Sequence, residues 1–310
     1  MVPRSRLARL MKAVILLQVL AAIGWWMWRS PTAPLQAAAG AGVIALLGPI
    51  GLALEFCLLP FIQRGDAGVP MPRPAQLLHA WLAETVLMFR VFYGRMVFRW
   101  RTPTDHLAPE CAGRTGIVFI HGFVCNRGFW SPWMERLHAS GHAFAAVNLE
   151  PVFASIEGYT PIVEEAVRRV TACTGHPPLL VCHSMGGLVA RSWLRASSGA
   201  DRVAHVVTIG SPHGGTWLGR FSRRTQGRQM QLRSDWLDAL ANDEAGTRQP
   251  PFTCWYSNCD NVVFPAATAT LPHADNRLLT GRAHVELAFD PAVMDHSLAL
   301  LTPSQPPLSR

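Results

Sequence analysis

Hydrophobic residues are distributed in two regimes along the chain. Up to about residue 100 they form long unbroken runs, and from about Arg114 onward they form short runs separated by polar and glycine-rich stretches. The first run, Ala13 to Trp28, lies between Lys12 and Arg29 and ends in Trp25, Trp26 and Trp28, which predicts a short membrane-spanning helix with an interfacial aromatic belt. The second, Leu35 to Ile62, carries only Glu55 among charged groups and is long enough to cross about 30 Å of hydrocarbon with tilt. Pro31 and Pro34 punctuate the gap, so residues 13–28 and 35–62 predict a transmembrane helical hairpin within an anchor region, residues 1–74. A secretory signal peptide competes for the first run, but no small-residue cleavage site precedes the second. A third apolar stretch falls in residues 75–105 and is interrupted by Glu84, Arg90, Arg95 and Arg99. It predicts an amphipathic interfacial or domain-packing helix; several mid-bilayer charges disfavour the alternative, a third span.

Beyond this point short β-rich runs alternate with helical segments, the pattern of a parallel sheet covered on both faces. Expected strands are Gly116 to Ile120, Phe144 to Leu149, Leu179 to Cys182, Val203 to Ile209, Phe252 to Tyr256 and a weak one at Arg277 to Leu279. Helices fit at Trp130 to Ala139, Thr160 to Cys173, Gly186 to Ala196 and Asp290 to Leu301. The stretch Thr216 to Ala245 breaks the rhythm, with Trp217, Phe221, Trp236 and Leu237 among several arginines. It predicts a cap over the sheet's carboxyl edge, inserted in a catalytic domain of residues 106–310.

Charge refines this division. The net charge of +8 suggests nucleic-acid binding until it is located: up to Asp105 there are eleven basic residues against four acidic ones, and the remainder is nearly balanced. The excess therefore belongs to the apolar region, which favours a bilayer surface and argues against a nucleic-acid groove. Arg4, Arg6, Arg9 and Lys12 precede the first run and six arginines follow the second, so the positive-inside rule puts both ends of the hairpin, and the catalytic domain, in the cytoplasm. A third span would reverse that side. Lys12 is the only lysine, which excludes a P-loop, a Ser-Lys dyad and a pyridoxal Schiff base in the folded domain. The seven cysteines are scattered without C-x-x-C spacing and predict neither a zinc site nor a disulfide framework, although Cys254 and Cys259 are close enough in sequence to meet across a turn. His138 and His142 share i, i+4 spacing without a carboxylate partner, so no metal site is expected.

The strongest chemical signal is Leu179-Leu180-Val181-Cys182-His183-Ser184-Met185-Gly186-Gly187-Leu188-Val189. A buried strand enters a sharp turn with serine at its apex and a helix leaves at once, as a nucleophilic serine requires. Small residues are needed two before and two after the serine; Gly186 meets this, and Cys182 stands where glycine is usual. The oxyanion donors of such a site are the amide after the nucleophile, here Met185, and one from the turn after an earlier strand, here Phe123 beyond Gly122. His121 is expected to hold that turn by hydrogen bonding.

The segments Val118-Phe119-Ile120-His121-Gly122-Phe123, His183-Ser184-Met185-Gly186-Gly187-Leu188 and Thr208-Ile209-Gly210-Ser211-Pro212-His213-Gly214-Gly215 resemble those of bacterial triacylglycerol lipases and esterases of the α/β-hydrolase superfamily. The likeness spans roughly Gly116 to Leu301. It implies an α/β-hydrolase fold, with a mostly parallel central sheet and helices on both faces, preceded here by the hairpin. It also implies the triad order nucleophile, acid, histidine, with Ser184 followed by Asp260 in Ser257-Asn258-Cys259-Asp260-Asn261-Val262-Val263 and His284 in Gly281-Arg282-Ala283-His284. Asp275 is the fallback acid. His296 and His273 are expected to be structural, and His213, like His121 and Trp217, is a candidate for contact with substrate.

The implied activity is cleavage of carboxylic esters through an acyl-enzyme, requiring no cofactor or metal, on a lipid-like or small acyl-ester substrate at a bacterial inner membrane. An acyltransferase or thioesterase would use the same residues. A membrane-tethered interaction protein that has lost activity is the non-enzymatic alternative.

Overall fold

The computed structural model describes residues 5–66, 68–197 and 199–301. Arg4 and the close of the 106–310 domain after Leu301 lie outside the described residues. Within them, strands β1 (Ile117–Ile120), β2 (Phe144–Ala146), β3 (Leu179–His183), β4 (His205–Ile209), β5 (Phe252–Tyr256) and β6 (Asp275–Leu278) form one sheet in the order β2-β1-β3-β4-β5-β6. Every neighbouring pair is parallel. All six expected strands are present, but β2 stops at Ala146, short of the expected Leu149, whose N–H is directed instead to His121.

Whereas the edge strand β6 is polar and part-exposed, strands β1 to β5 are largely apolar because both their faces are covered. Their alternation sends Val118, Ile120, Leu180, Cys182, Val206 and Cys254 to one side, against α6 (Thr160–Thr174) and α7 (Met185–Ser197). Ile117, Phe119, Leu179, Val181, Val207 and Trp255 go to the other, against α5 (Ser131–Ser140) and α11 (Pro291–Ala299). The inserted stretch splits in two. A turn of 3-10 helix, Trp217–Phe221, and the short α8 (Thr225–Gln229) bridge the loops beyond β2 and β5, through Gln226 to the Val152 carbonyl and Trp217 N–H to the Phe264 carbonyl. These two pieces lie against the loops at the carboxyl ends of β2 and β5. In contrast α9 (Asp235–Glu244) packs beside α7, fixed by the ion pair of Arg191 with Glu244.

The N-terminal third differs from expectation in its boundaries and in its attachment. The first helix, α1, is Arg6–Arg29, starting well before residue 13, and its first turn is docked on the catalytic domain. Leu7 is buried in the core, the Arg6 N–H donates to Glu150, and Asn126 donates to the Ser5 cap. The run 35–62 is not one helix but α2 (Pro34–Ala45) and α3 (Leu47–Ile62), separated at Leu46. Pro49, which has no N–H to donate back to the Ala45 carbonyl, accounts for the break. Helices α1 and α2 pair through Gln18 to the Ile44 carbonyl and Trp25 to the Gln36 carbonyl, and Gly40 leaves room for the Trp25 indole. The stretch after residue 74 takes the domain-packing form: α4 (Pro74–Leu87) continues into a π-helical run, Met88–Arg99, that buries Ala80, Glu84, Val91, Met96 and Val97. Among the described residues, two helical segments, Arg6–Arg29 and Leu47–Gly65, are long and apolar enough to cross a membrane, with mean hydropathy 1.8 and 1.2. All seven cysteines are free, Cys254 and Cys259 included.

Arg127, fully buried, ties the segment following the π-helical run to the sheet. Its guanidinium donates to the carbonyls of Ala146, Trp100 and Pro103 and to Asp105. Arg127→Met leaves these acceptors without their donor and is expected to destabilise the fold by about 3 kcal/mol, read as a lower denaturant midpoint at unchanged slope.

Candidate active site

Ser184 sits between β3 and α7 with φ +55, in the left-handed region that a non-glycine residue enters at a cost of about 1 kcal/mol or more. Its N–H donates to the Ile209 carbonyl at 2.9 Å. The turn is pressed from both sides. A Cβ on Gly186 would lie 2.3 Å from the Ile120 carbonyl oxygen, and one on Gly187 would lie 2.3 Å from the Ser211 hydroxyl oxygen. Only glycine lets α7 start this close to β1 and β4. Cys182, at the position where glycine is usual, is fully buried and packs its small side chain into the α6/α7 core.

Two loops meet beside this turn. The loop after β5 carries Asp260, whose Oδ1 accepts from the Val262 and Val263 amides at 2.9 and 2.8 Å. Its Oδ2 lies 2.9 Å from Nδ1 of His284, at the start of the short α10 (His284–Ala288), with both side chains almost completely buried. A carboxylate there puts the imidazole proton on Nδ1 and leaves Nε2 as an acceptor. Gly210, with φ +55, lies under the pair: a Cβ on it would be 2.9 Å from Asp260 Oδ2 and 3.1 Å from His284 Nδ1. It directly follows Ile209, the residue that holds the Ser184 amide. The neighbouring His183 ring lies 4.5 Å from the His284 ring and its Nε2 donates to the His284 carbonyl at 3.2 Å. Burial alone would depress the His284 pKa. The Asp260 charge and hydrogen bond, with Glu84 and Glu55 behind, outweigh it and hold the imidazole above its ordinary 6.5.

The turn after β1 closes the third side. His121 donates from Nδ1 to the Gly122 carbonyl at 2.9 Å and accepts at Nε2 from the Leu149 amide at 3.0 Å. Burial pushes its pKa down to about 4, so it stays neutral and structural, with both ring nitrogens committed to backbone. Gly122 abuts the serine, since a Cβ there would lie 2.7 Å from Ser184 Cβ. Among the described residues neither the Phe123 nor the Met185 amide has a protein acceptor, so two donors are left on the turns flanking the serine.

The remaining candidates lie apart. Asp275 pairs with Arg277 on the exposed side of β6. His213 is buried, with Nε2 3.1 Å from the Thr208 hydroxyl, and helps wall a cavity of about 1080 Å³ with Arg191, Glu244, Phe252 and His273. That cavity touches none of Ser184, Asp260 and His284. Trp217 is half-buried, stacked on Phe264 under Arg220. His296 packs against Trp255. Sequence reasoning missed Glu84, which braces the histidine loop from the N-terminal side, and the pair of Glu55 with Asn261 of the Asp260 loop, whose Oδ1 accepts from the His284 amide. The available signal was a solitary acid in each apolar helix, which a core tolerates only where it is hydrogen-bonded.

The model of the alpha/beta hydrolase family matches residues 117–306. Among solved structures, the mature form of a Bacillus licheniformis lipase aligns with a TM-score of 0.55 at 18% identity, over 64% of this chain and 96% of its own. Aspergillus fumigatus lipase B aligns with a TM-score of 0.55 at 14% identity, over 94% of this chain and 80% of its own. Both are similar to this chain in fold. Because the family match runs from β1 through α11, the chain belongs to the alpha/beta hydrolase family.

Proposed function

We propose that the protein is a membrane-anchored serine hydrolase that cleaves carboxylic esters with Ser184, His284 and Asp260. The observation that carries this reading is the buried His284–Asp260 pair at 2.9 Å, beside a serine held in a left-handed turn. In the first step Ser184 Oγ attacks the ester carbonyl carbon while its proton passes to His284 Nε2. The carbonyl π electrons move onto oxygen, and the Phe123 and Met185 amides donate to that oxyanion. Collapse breaks the bond to the alkoxy group, which takes the proton from the imidazolium and leaves an acyl-Ser184. Water, deprotonated by His284, repeats the sequence and releases the acid.

The substrate proposed is lipid-like. Phe153 and Phe221 are exposed near the turns that surround the site, Phe153 against Phe123, and Arg224 and Arg220 lie over the Phe153 and Trp217 rings. Aromatic and arginine side chains together suit the boundary between acyl chains and headgroups. Anchoring is supported by α1, which exposes Val14, Leu16, Leu17, Val19, Leu20 and Ile23 and is about 36 Å long at the ordinary helical rise. The start of α1 contacts the catalytic domain through Leu7, and α3 contacts it through Glu55 and Phe56. The basic residues flanking the hairpin make the catalytic domain's side the cytoplasmic side of an inner membrane. Anchor, packing segment and catalytic domain then follow the division at residues 74 and 105.

A fluorophosphonate probe is expected to label the full-length protein and not Ser184→Ala; an unlabelled wild type would remove the hydrolase reading. With a short-chain ester, kcat/KM is expected to fall as acid protonates His284, with a midpoint above 6.5 because its pKa is raised. Asp260→Asn is expected to lower kcat by about 10³-fold or more, and to move any residual acid limb to lower pH. Long acyl esters presented in vesicles are expected to turn over faster than short soluble ones, and equal rates would remove the lipid claim while leaving the esterase.

A further inference from the structure

The loops that carry Asp260 and His284 rest on the N-terminal helical region through a series of polar contacts. Asp66 accepts from the Ala267 amide at 2.9 Å, and the Pro70 carbonyl accepts from Asn258, which in turn accepts from the Gly281 amide at 2.8 Å. Glu55 of α3 accepts from Asn261 Nδ2 at 2.7 Å, while Asn261 Oδ1 accepts from the amide of His284 itself at 3.3 Å. Glu84 of α4 is 4% exposed, and its carboxylate accepts from the Val285 amide at 3.0 and 3.1 Å and from the Glu286 amide at 3.2 Å. An acid buried in an otherwise apolar helix is costly unless it finds donors, and here the donors are the two backbone amides that directly follow the histidine.

We propose that Glu84 is a positioning residue for His284, so that the N-terminal helices form the back wall of the active site as well as an anchor. The inference rests on the reading of His284 as the general base. It adds that the base is held from outside the catalytic domain. The carboxylate acts in two ways. By gripping the Val285 and Glu286 amides it fixes the start of α10, and with it the direction of the imidazole. Its charge also favours the imidazolium formed when Ser184 gives up its proton.

The charged groups around this contact are Asp260 from the loop after β5, Glu55 from α3, and an outer cluster of His79, Arg282 and Glu286. Burial raises the Glu84 pKa to about 7, against the opposing pull of the His284 charge and the two amides, so carboxylate and imidazole titrate as a coupled pair. Removing the carboxylate takes away one of the charges that hold the proton on His284. The acid limb of the pH profile must then move to lower pH.

The test compares wild type, Glu84→Gln, Glu84→Asp and Glu55→Gln, each full-length in detergent, with a soluble short-chain ester as substrate. Active sites are counted by fluorophosphonate labelling, and thermal unfolding is followed in parallel. For Glu84→Gln, kcat per labelled site is expected to fall about 10-fold with KM within about 2-fold, and the acid limb to move down by about half a unit or more. Glu84→Asp is expected to restore the position of the limb. Glu55→Gln, which removes a charge one residue further out, is expected to shift it in the same direction and less, and serves if Glu84→Gln does not fold. Wild-type kcat per site and an unmoved limb in Glu84→Gln and Glu55→Gln would overturn the inference, as would a loss confined to the number of labelled sites. A wild type that labels beside such variants refutes this inference alone, whereas a wild type that does not label refutes the hydrolase reading on which it stands.

Discussion

The left-handed backbone at Ser184 persists because the surrounding chain leaves it no other path. Its amide is held by Ile209 on the neighbouring strand, and the helix that follows starts against the Ile120 carbonyl with only glycine between them. A strain of about 1 kcal/mol or more at one residue is small beside the packing of a parallel sheet whose two faces are both closed. The sheet therefore sets the serine's place. Gly122, Gly186, Gly187 and Gly210 mark where four segments approach one point more closely than any side chain would allow.

The other half of the site has no such rigid support. Asp260 and His284 sit on loops after β5 and β6, near the edge of the sheet, where neighbouring strands hold less of the backbone. Their order comes instead from local hydrogen bonds and from the N-terminal region. Asp260 is oriented by the amides of its own turn, whereas the amides at and after His284 are satisfied by Asn261 and by Glu84. Two acids in otherwise apolar helices thus serve the loops, and the same helices present bare hydrophobic side chains outward. One segment packs on the catalytic domain and leaves other apolar side chains exposed. The helix breaks at Leu46 and after Arg29 let it do both.

Much of this was legible from local pattern. The strand, serine, glycine and helix around residue 184 are contiguous in sequence, so the elbow could be read directly. The short apolar runs predicted the strands because a strand buried on both faces needs no partner information to look apolar. The pairing of Asp260 with His284 was anticipated only through the resemblance of their loops to those of the lipases. Asp275, equally acidic and closer in sequence to His284, is turned outward to Arg277; only the course of β6 separates the two acids.

What the sequence determined by itself was therefore most of the elements, their alternation and the identity of the groups around the serine turn, all properties of neighbours along the chain. Tertiary structure decided which distant groups meet. It split the run 35–62 at Leu46, docked Leu7 in the core, turned His213 away into a separate cavity wall, and brought Glu55 and Glu84 to loops some two hundred residues further on. Hydrophobic periodicity reports which face of an element is buried and is silent on what covers it. A lone acid in an apolar helix shows that a partner is needed, and only the packed molecule supplies the partner's name.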